Sequence, residues 1–225
     1  MKNLLAIILI LNGWSVFAQD SSEVPGSRSL FKLAPQNFAQ NTLKMGVERF
    51  NRDFSKSMVF YLSGMLGDRT EDYDYYSYGY NGLGAELQYR KYIKPMKLQV
   101  SKKDNEYYQG IYFAGFVQSG RYSADRYSAY FTIDQTTGAT IKVVNYDYKE
   151  SISNVAFGFT LGWHRTLWQV VYVDIYVGGG LQFADVTRAG QLPQYGFDSF
   201  YRDAVSDPGY QGIIPKFGVH LGIGL

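Results

Sequence analysis

Apolar and polar positions alternate one by one along much of this chain, and the alternation recurs in separate blocks divided by polar, turn-rich segments. The clearest block is the last. Phe217, Val219, Leu221, Ile223 and Leu225 are apolar, and Gly218, His220, Gly222 and Gly224 lie between them. A period of two is the mark of a strand, whose successive side chains point to opposite faces. Thr42 to Phe50 sets Leu43, Met45 and Val47 against Lys44, Gly46 and Glu48, and Ser57 to Gly67 sets Met58, Phe60, Leu62 and Leu66 against Tyr61 and Ser63. Leu83 to Ile93 opposes Leu83, Ala85, Leu87 and Tyr89 to Glu86, Gln88, Arg90 and Tyr92. Tyr108 to Gly120, Val155 to His164 and Val171 to Ala184 repeat the pattern, and Ser29 to Ala34 is a short first strand broken by Pro35.

The segments between these blocks alternate in length. Asn51-Arg52-Asp53 predicts a tight turn, 68–81 a long polar loop, 94–106 a charged connector and 165–169 another turn. Residues 121–153 form the longest insertion, read as a hairpin (Tyr127 to Asp134 and Ala139 to Tyr148 around Gln135-Thr136-Thr137-Gly138), and 187–211 is a further loop. Short turns at one end and long loops at the other are the habit of outer-membrane barrels, with the short connection at Pro35 to Gln40 as the exception. The expected fold is all-β: an eight-stranded antiparallel up-and-down transmembrane β-barrel over residues 29–225, with both termini periplasmic.

The start of the chain adds a location. Met1-Lys2-Asn3 precedes an apolar run from Leu4 to Leu11, and Val16 and Ala18 stand at −3 and −1 of a cut after Ala18. The run is too short to span a bilayer as a helix, which takes about 20 residues. Residues 1–18 are expected to be a cleaved export signal and 19–28 a polar periplasmic lead-in.

Charge and composition change this picture little. Lys+Arg 22 against Asp+Glu 20 leaves no basic excess for nucleic acid. The absence of cysteine excludes disulfides, lipoprotein anchoring and thiol catalysis. Tyr 21, Phe 15 and Gly 24 suit a barrel with aromatic girdles and a tightly packed interior. A soluble barrel of avidin or lipocalin type has the same period with the opposite polarity. The faces opposed to the apolar ones are mainly Gly, Ala, Thr and Tyr, a poor solvated exterior, and the bulky faces would overfill a small barrel. Lipid on the outside satisfies both observations.

With the apolar faces outward, Lys44, Glu48, Glu86, Arg90, Asp174 and His220 point inward. They are expected to meet as a charged, hydrogen-bonded plug, since buried charge is tolerable only when paired. A gate or ion path is the alternative role for the same residues. Only two histidines exist. His164 falls at a periplasmic strand end and His220 in mid-strand, neither at the level where a lipid-modifying enzyme would need a Ser/His nucleophile pair. The tyrosine-rich loop offers Tyr73, Tyr75, Tyr76, Tyr78 and Tyr80 for contact with an external partner; their other reading is a continued aromatic girdle. Its acidic residues lack the ligand spacing of a calcium loop. No zinc spacing or nucleotide fingerprint is present, so no cofactor is expected.

Several blocks carry a resemblance. Gly46-Val47-Glu48-Arg49, Glu86-Leu87-Gln88-Tyr89-Arg90-Lys91-Tyr92, Gln109-Gly110-Ile111-Tyr112, Leu161-Gly162-Trp163, Asp174-Ile175-Tyr176-Val177-Gly178-Gly179-Gly180 and Pro215-Lys216-Phe217-Gly218 resemble small Bacteroidetes-type outer-membrane β-barrel proteins of unknown function, similar in architecture to the OmpX/OmpA type. The resemblance implies fold, outer-membrane lipid as surroundings and the barrel-assembly machinery as a partner; it brings no catalytic residues. Leu225 departs from the terminal aromatic residue common in such barrels. The expected role is non-enzymatic: envelope structure, or docking to an envelope or surface protein through the loops, as a monomer unless part of a complex. A narrow solute pore, an accessory subunit and a lipid A-modifying enzyme are the alternatives.

Overall fold

The computed structural model describes residues 28–67, 79–93, 97–100, 106–133, 140–167, 171–190, 204–205 and 207–224. The alternating blocks form strands β1 (Ser29–Leu33), β2 (Thr42–Phe50), β3 (Lys56–Met65), β4 (Asn81–Tyr92), β5 (Lys97–Val100), β6 (Glu106–Ile133), β7 (Thr140–Leu167), β8 (Val171–Gly190) and β9 (Gly212–Gly224). Every pairing is antiparallel. β4 pairs with β6 and β9 pairs back onto β1, so eight strands close an up-and-down barrel and leave β5 as a short extra strand on the flank of β6.

The register fixes the barrel's shape. From Leu30 the paired residues run Glu48, Val59, Gln88, Phe116, Gly158, Gly180 and Ile214. Leu30 itself pairs directly with Gly224, ten residues further along β9 than Ile214. This stagger of ten over eight strands sets a tilt of about 40°. A barrel of this size has an interior only wide enough for side chains.

The predicted faces hold around the whole barrel. Phe60, Phe159, Val177 and Phe217 are 44–61% exposed on the outside, while Tyr61, Tyr112, Arg90 and Asp174 are fully enclosed. Two close approaches show how large rings fit inside. Gly46 faces its partner Tyr61, and Gly162 faces Tyr112; a Cβ at either glycine would collide with the opposing ring. Each tyrosine therefore lies flat across a neighbouring strand.

The end carrying the β2–β3, β4–β6 and β7–β8 connections is shut by apolar packing. In the β2–β3 turn Ser55 donates its Oγ–H (2.8 Å) and N–H (3.3 Å) to Asp53 Oδ1, which holds this exposed carboxyl below the usual Asp range. The turn swings Phe54 beneath the barrel at φ 52°, a left-handed conformation rare for an aromatic residue. There it packs on Phe50 at 5.4 Å, and Phe50 in turn meets Tyr92 at 5.9 Å.

At the opposite, loop end the structure adds detail in two places. The hairpin expected within 121–153 is present, with Tyr127 to Ile133 paired to Thr140 to Asp147, but it is continuous with the wall strands rather than set off from them by a loop. β6 and β7 stay paired through it, from Gln109↔Arg165 out to Ile133↔Thr140, with one register shift between Thr132 and Ile133. The short connection after β1 is a 3-10 helix (Pro35–Gln40) ending on Asn41 at φ 50°, a conformation Asn tolerates.

Candidate functional site

The six inward residues named from sequence fall into two groups at different heights, joined by Gln88. The lower group centres on Asp174. Arg90 Nη1 donates to Asp174 Oδ2 at 2.7 Å, Lys32 Nζ to the same oxygen at 2.8 Å, and the Tyr112 hydroxyl to Oδ1 at 2.6 Å. Glu48 is the second carboxylate: it pairs with Lys32, lies 3.4 Å from Arg90 Nη1, and accepts from Ser57 Oγ at 2.5 Å. Two cations and two carboxylates thus neutralise one another with no side-chain exposure above 1%. Arg90 spreads its donors, giving Nε and Nη2 to Gln88 Oε1 at 3.0 and 2.7 Å while its guanidinium lies 4.3 Å from the Tyr112 ring centre. A guanidinium presents its donors in a rigid planar fork, so it can hold acceptors on separate strands in one fixed geometry, which a point-like ammonium does not.

His220 joins this group from β9, directly opposite Asp174 of β8, with Nδ1 3.2 Å from Asp174 Oδ2. The Tyr61 hydroxyl stands 3.2 Å from the same nitrogen. The imidazole is stacked between the rings of Tyr61 (4.8 Å) and Tyr176 (4.7 Å). Asp, His and Tyr are in the order of an acid–base relay, but the ring is sandwiched and fully buried, so no solute reaches it. His164 is enclosed as well, with Nδ1 3.3 Å from the Tyr92 hydroxyl and its ring against Phe50 and Tyr172.

The upper group is Glu86 with Lys44 and Lys216. Both ammonium groups bond Glu86 Oε2, at 2.5 and 3.0 Å, and Gln88 Nε2 donates to Oε1 at 2.6 Å. Lys216 also donates to Gln118 Oε1 at 2.7 Å and stands 4.0 Å over the Phe116 ring. These residues floor a cup of about 330 Å³ that widens toward the loop end. Its rim is the segment around Asp207 to Gln211. Asn154 and Gln182 donate to Pro208 O at 2.8 and 3.2 Å, Gln182 donates to Tyr210 O at 3.0 Å, and Asp207 accepts from the Tyr80 hydroxyl at 3.0 Å.

The structure therefore places Lys44, Glu48, Glu86, Arg90, Asp174 and His220 inside the barrel and in contact, divided between plug and cup. Lys32, Lys216, Gln88 and the tyrosines at 61, 92 and 112 complete them; alternation puts Tyr61, Gln88, Tyr92 and Tyr112 on the inner face without naming them in the plug, and Lys32 and Lys216 were missed from sequence. Strand parity held the signal: Lys32 shares a face with Leu30, and Lys216 one with Gly218 and His220. Tyr80, expected to offer surface to an external partner, is instead buried at 7% exposure and spends its hydroxyl on Asp207 at the rim; Tyr73, Tyr75, Tyr76 and Tyr78 fall outside the described residues. Among the described residues no group of three or more potential ligands could hold a metal ion, and no helix is long and apolar enough to cross a membrane, which leaves crossing by strands open. No protein-family model matches the chain, and no curated protein or solved structure matches it at a significant level.

Proposed function

We infer that the chain is a non-enzymatic integral outer-membrane barrel, sealed by its plug, whose role is structural or lies in docking an envelope partner through the loop end. The observation carrying this reading is the inverted polarity: paired charges in the lumen, and bulky apolar side chains half-exposed outside on strand after strand. In water this arrangement would leave a continuous greasy belt, far larger than the scattered apolar patches of soluble proteins. The belt also has the right height. On β7 it runs from Val155 to Leu161 and ends on the partly buried Trp163; at about 3.3 Å per residue and a tilt of about 40° the stretch to Trp163 is about 20 Å, near the roughly 25 Å apolar band of such barrels.

The plug favours this role over a pore, because Asp174, Arg90, Lys32 and Glu48 fill the lumen section with no exposed surface. Fractionation of cells making the full chain, followed by planar-bilayer recording of the purified protein, tests both parts. The expected result is detergent-dependent extraction from outer membranes and no steady conductance. Recovery in the soluble periplasmic fraction would overturn the location, and stable channels would overturn the plug. Cross-linking in the same membranes would capture a docking partner at the loop end.

A further inference from the structure

Two lysines and one carboxylate make the floor of the cup electrostatically incomplete. In the plug below, Lys32 and Arg90 are matched by Glu48 and Asp174. In the cup, Lys44 and Lys216 share Glu86 as their one carboxylate partner among the described residues, and both reach the same oxygen. The other carboxylate lining the cup, Asp207, is at the rim and already accepts from the Tyr80 hydroxyl and the Gly209 N–H. Among the described residues the floor itself thus sets two ammonium groups against one carboxylate, with the charge of Asp207 held apart at the rim, and in a recess partly shielded from water a counter-charge at the floor is worth more than in bulk water.

The recess is also built to receive something. Its rim is pinned by the side chains of Asn154 and Gln182, so the cavity stands preformed rather than depending on closure. Its volume of about 330 Å³ is at the lower end of ligand pockets. Of three ammonium hydrogens, Lys44 gives one to Glu86 and Lys216 gives one to Glu86 and one to Gln118, so among the described residues each keeps a hydrogen to donate, and each side chain is partly open (12% for Lys44 and 10% for Lys216). Ser63, Tyr122 and Gln36 add polar groups on the walls, while Met65 and Ile214 supply apolar surface.

We propose that the cup is a binding site for a small organic anion, whose carboxylate or phosphate group bridges Lys44 and Lys216 above the plug. The apolar wall segments accommodate the rest of the solute, and the plug prevents its passage. The cup captures; it does not conduct. This inference goes beyond the role proposed above and is independent of it, because it requires only the folded barrel.

The test uses the full chain refolded in detergent micelles, with acetate and inorganic phosphate as separate probes at constant ionic strength. Saturable amide shifts confined to residues around Lys44, Gln118 and Lys216 are expected for at least one probe, and the two arms tell carboxylate from phosphate recognition. Lys44→Gln and Lys216→Gln should each weaken binding by about tenfold or more. Lys56→Gln, at the far end of the barrel, should leave it unchanged. Glu86→Gln removes the competing carboxylate and should tighten binding, an effect opposite in sign to that of a merely damaged fold. Retained heat-modifiable migration on a gel identifies the variants that still fold. Shifts that fail to saturate with either probe, or binding unaltered in both folded lysine variants and in Glu86→Gln, would overturn the site.

Discussion

Arg90 reaches across the lumen from β4 to β8 and donates to Asp174 at 2.7 Å, tying opposite walls of the barrel together. The same Nη1 lies 3.4 Å from Glu48 Oε2, so one side chain serves both carboxylates of the plug. Replacing Arg90 with Met leaves two buried carboxylates to Lys32 alone. The expected cost is about 3–5 kcal/mol, as for other buried pairs broken on one side. Arg90→Lys should recover only part of it, because an ammonium cannot also reach Gln88 in the same geometry. Urea titration of the refolded protein, followed by tryptophan fluorescence, measures both.

Gly162 and Gly115 make a matched pair for the interior. A Cβ at Gly162 would enter the ring of Tyr112, whereas one at Gly115 meets only the Phe159 ring at an ordinary 3.8 Å on the outer face. Gly162→Ala should therefore displace Tyr112 from Asp174 and destabilise by about 1–3 kcal/mol. Gly115→Ala should be close to neutral. The same urea titration separates them.

Phe54 combines burial with a left-handed backbone. Phe54→Ala removes the ring from beneath the barrel and keeps the backbone penalty, at an expected cost of about 3–5 kcal/mol. Phe54→Gly loses the same ring but relaxes the backbone, and should be the milder change by roughly 1 kcal/mol. If the ring contributed nothing, Phe54→Gly would instead stabilise the protein.

Leu221 lies on the outer face of β9, 43% exposed. In a bilayer Leu221→Arg should cost about 2–4 kcal/mol near the midplane, while Leu221→Phe should be tolerated. Folding yields into lipid vesicles read the difference. Equal yields for the Arg and Phe variants would count against lipid at this face.

The sequence by itself determined which residues face in and which face out, the number of wall strands and their antiparallel order. Those follow from a period of two, a local property of the backbone that Leu43 and Lys44 or Phe217 and His220 reveal without reference to anything distant. Parity also held Lys32 and Lys216 on the inner face, although the short β1 and the proline beside Lys216 obscured them. Only the tertiary structure decided which inner residues meet. Lys32 and Asp174 are 142 positions apart, and Lys216 and Glu86 are 130 apart. Their heights depend on the ten-residue stagger at which β9 closes on β1. No single strand encodes that stagger; it is the sum of every register around the wall. The division of the inward charges into a neutral plug and a cup whose floor sets two lysines against Glu86 is decided by that closure.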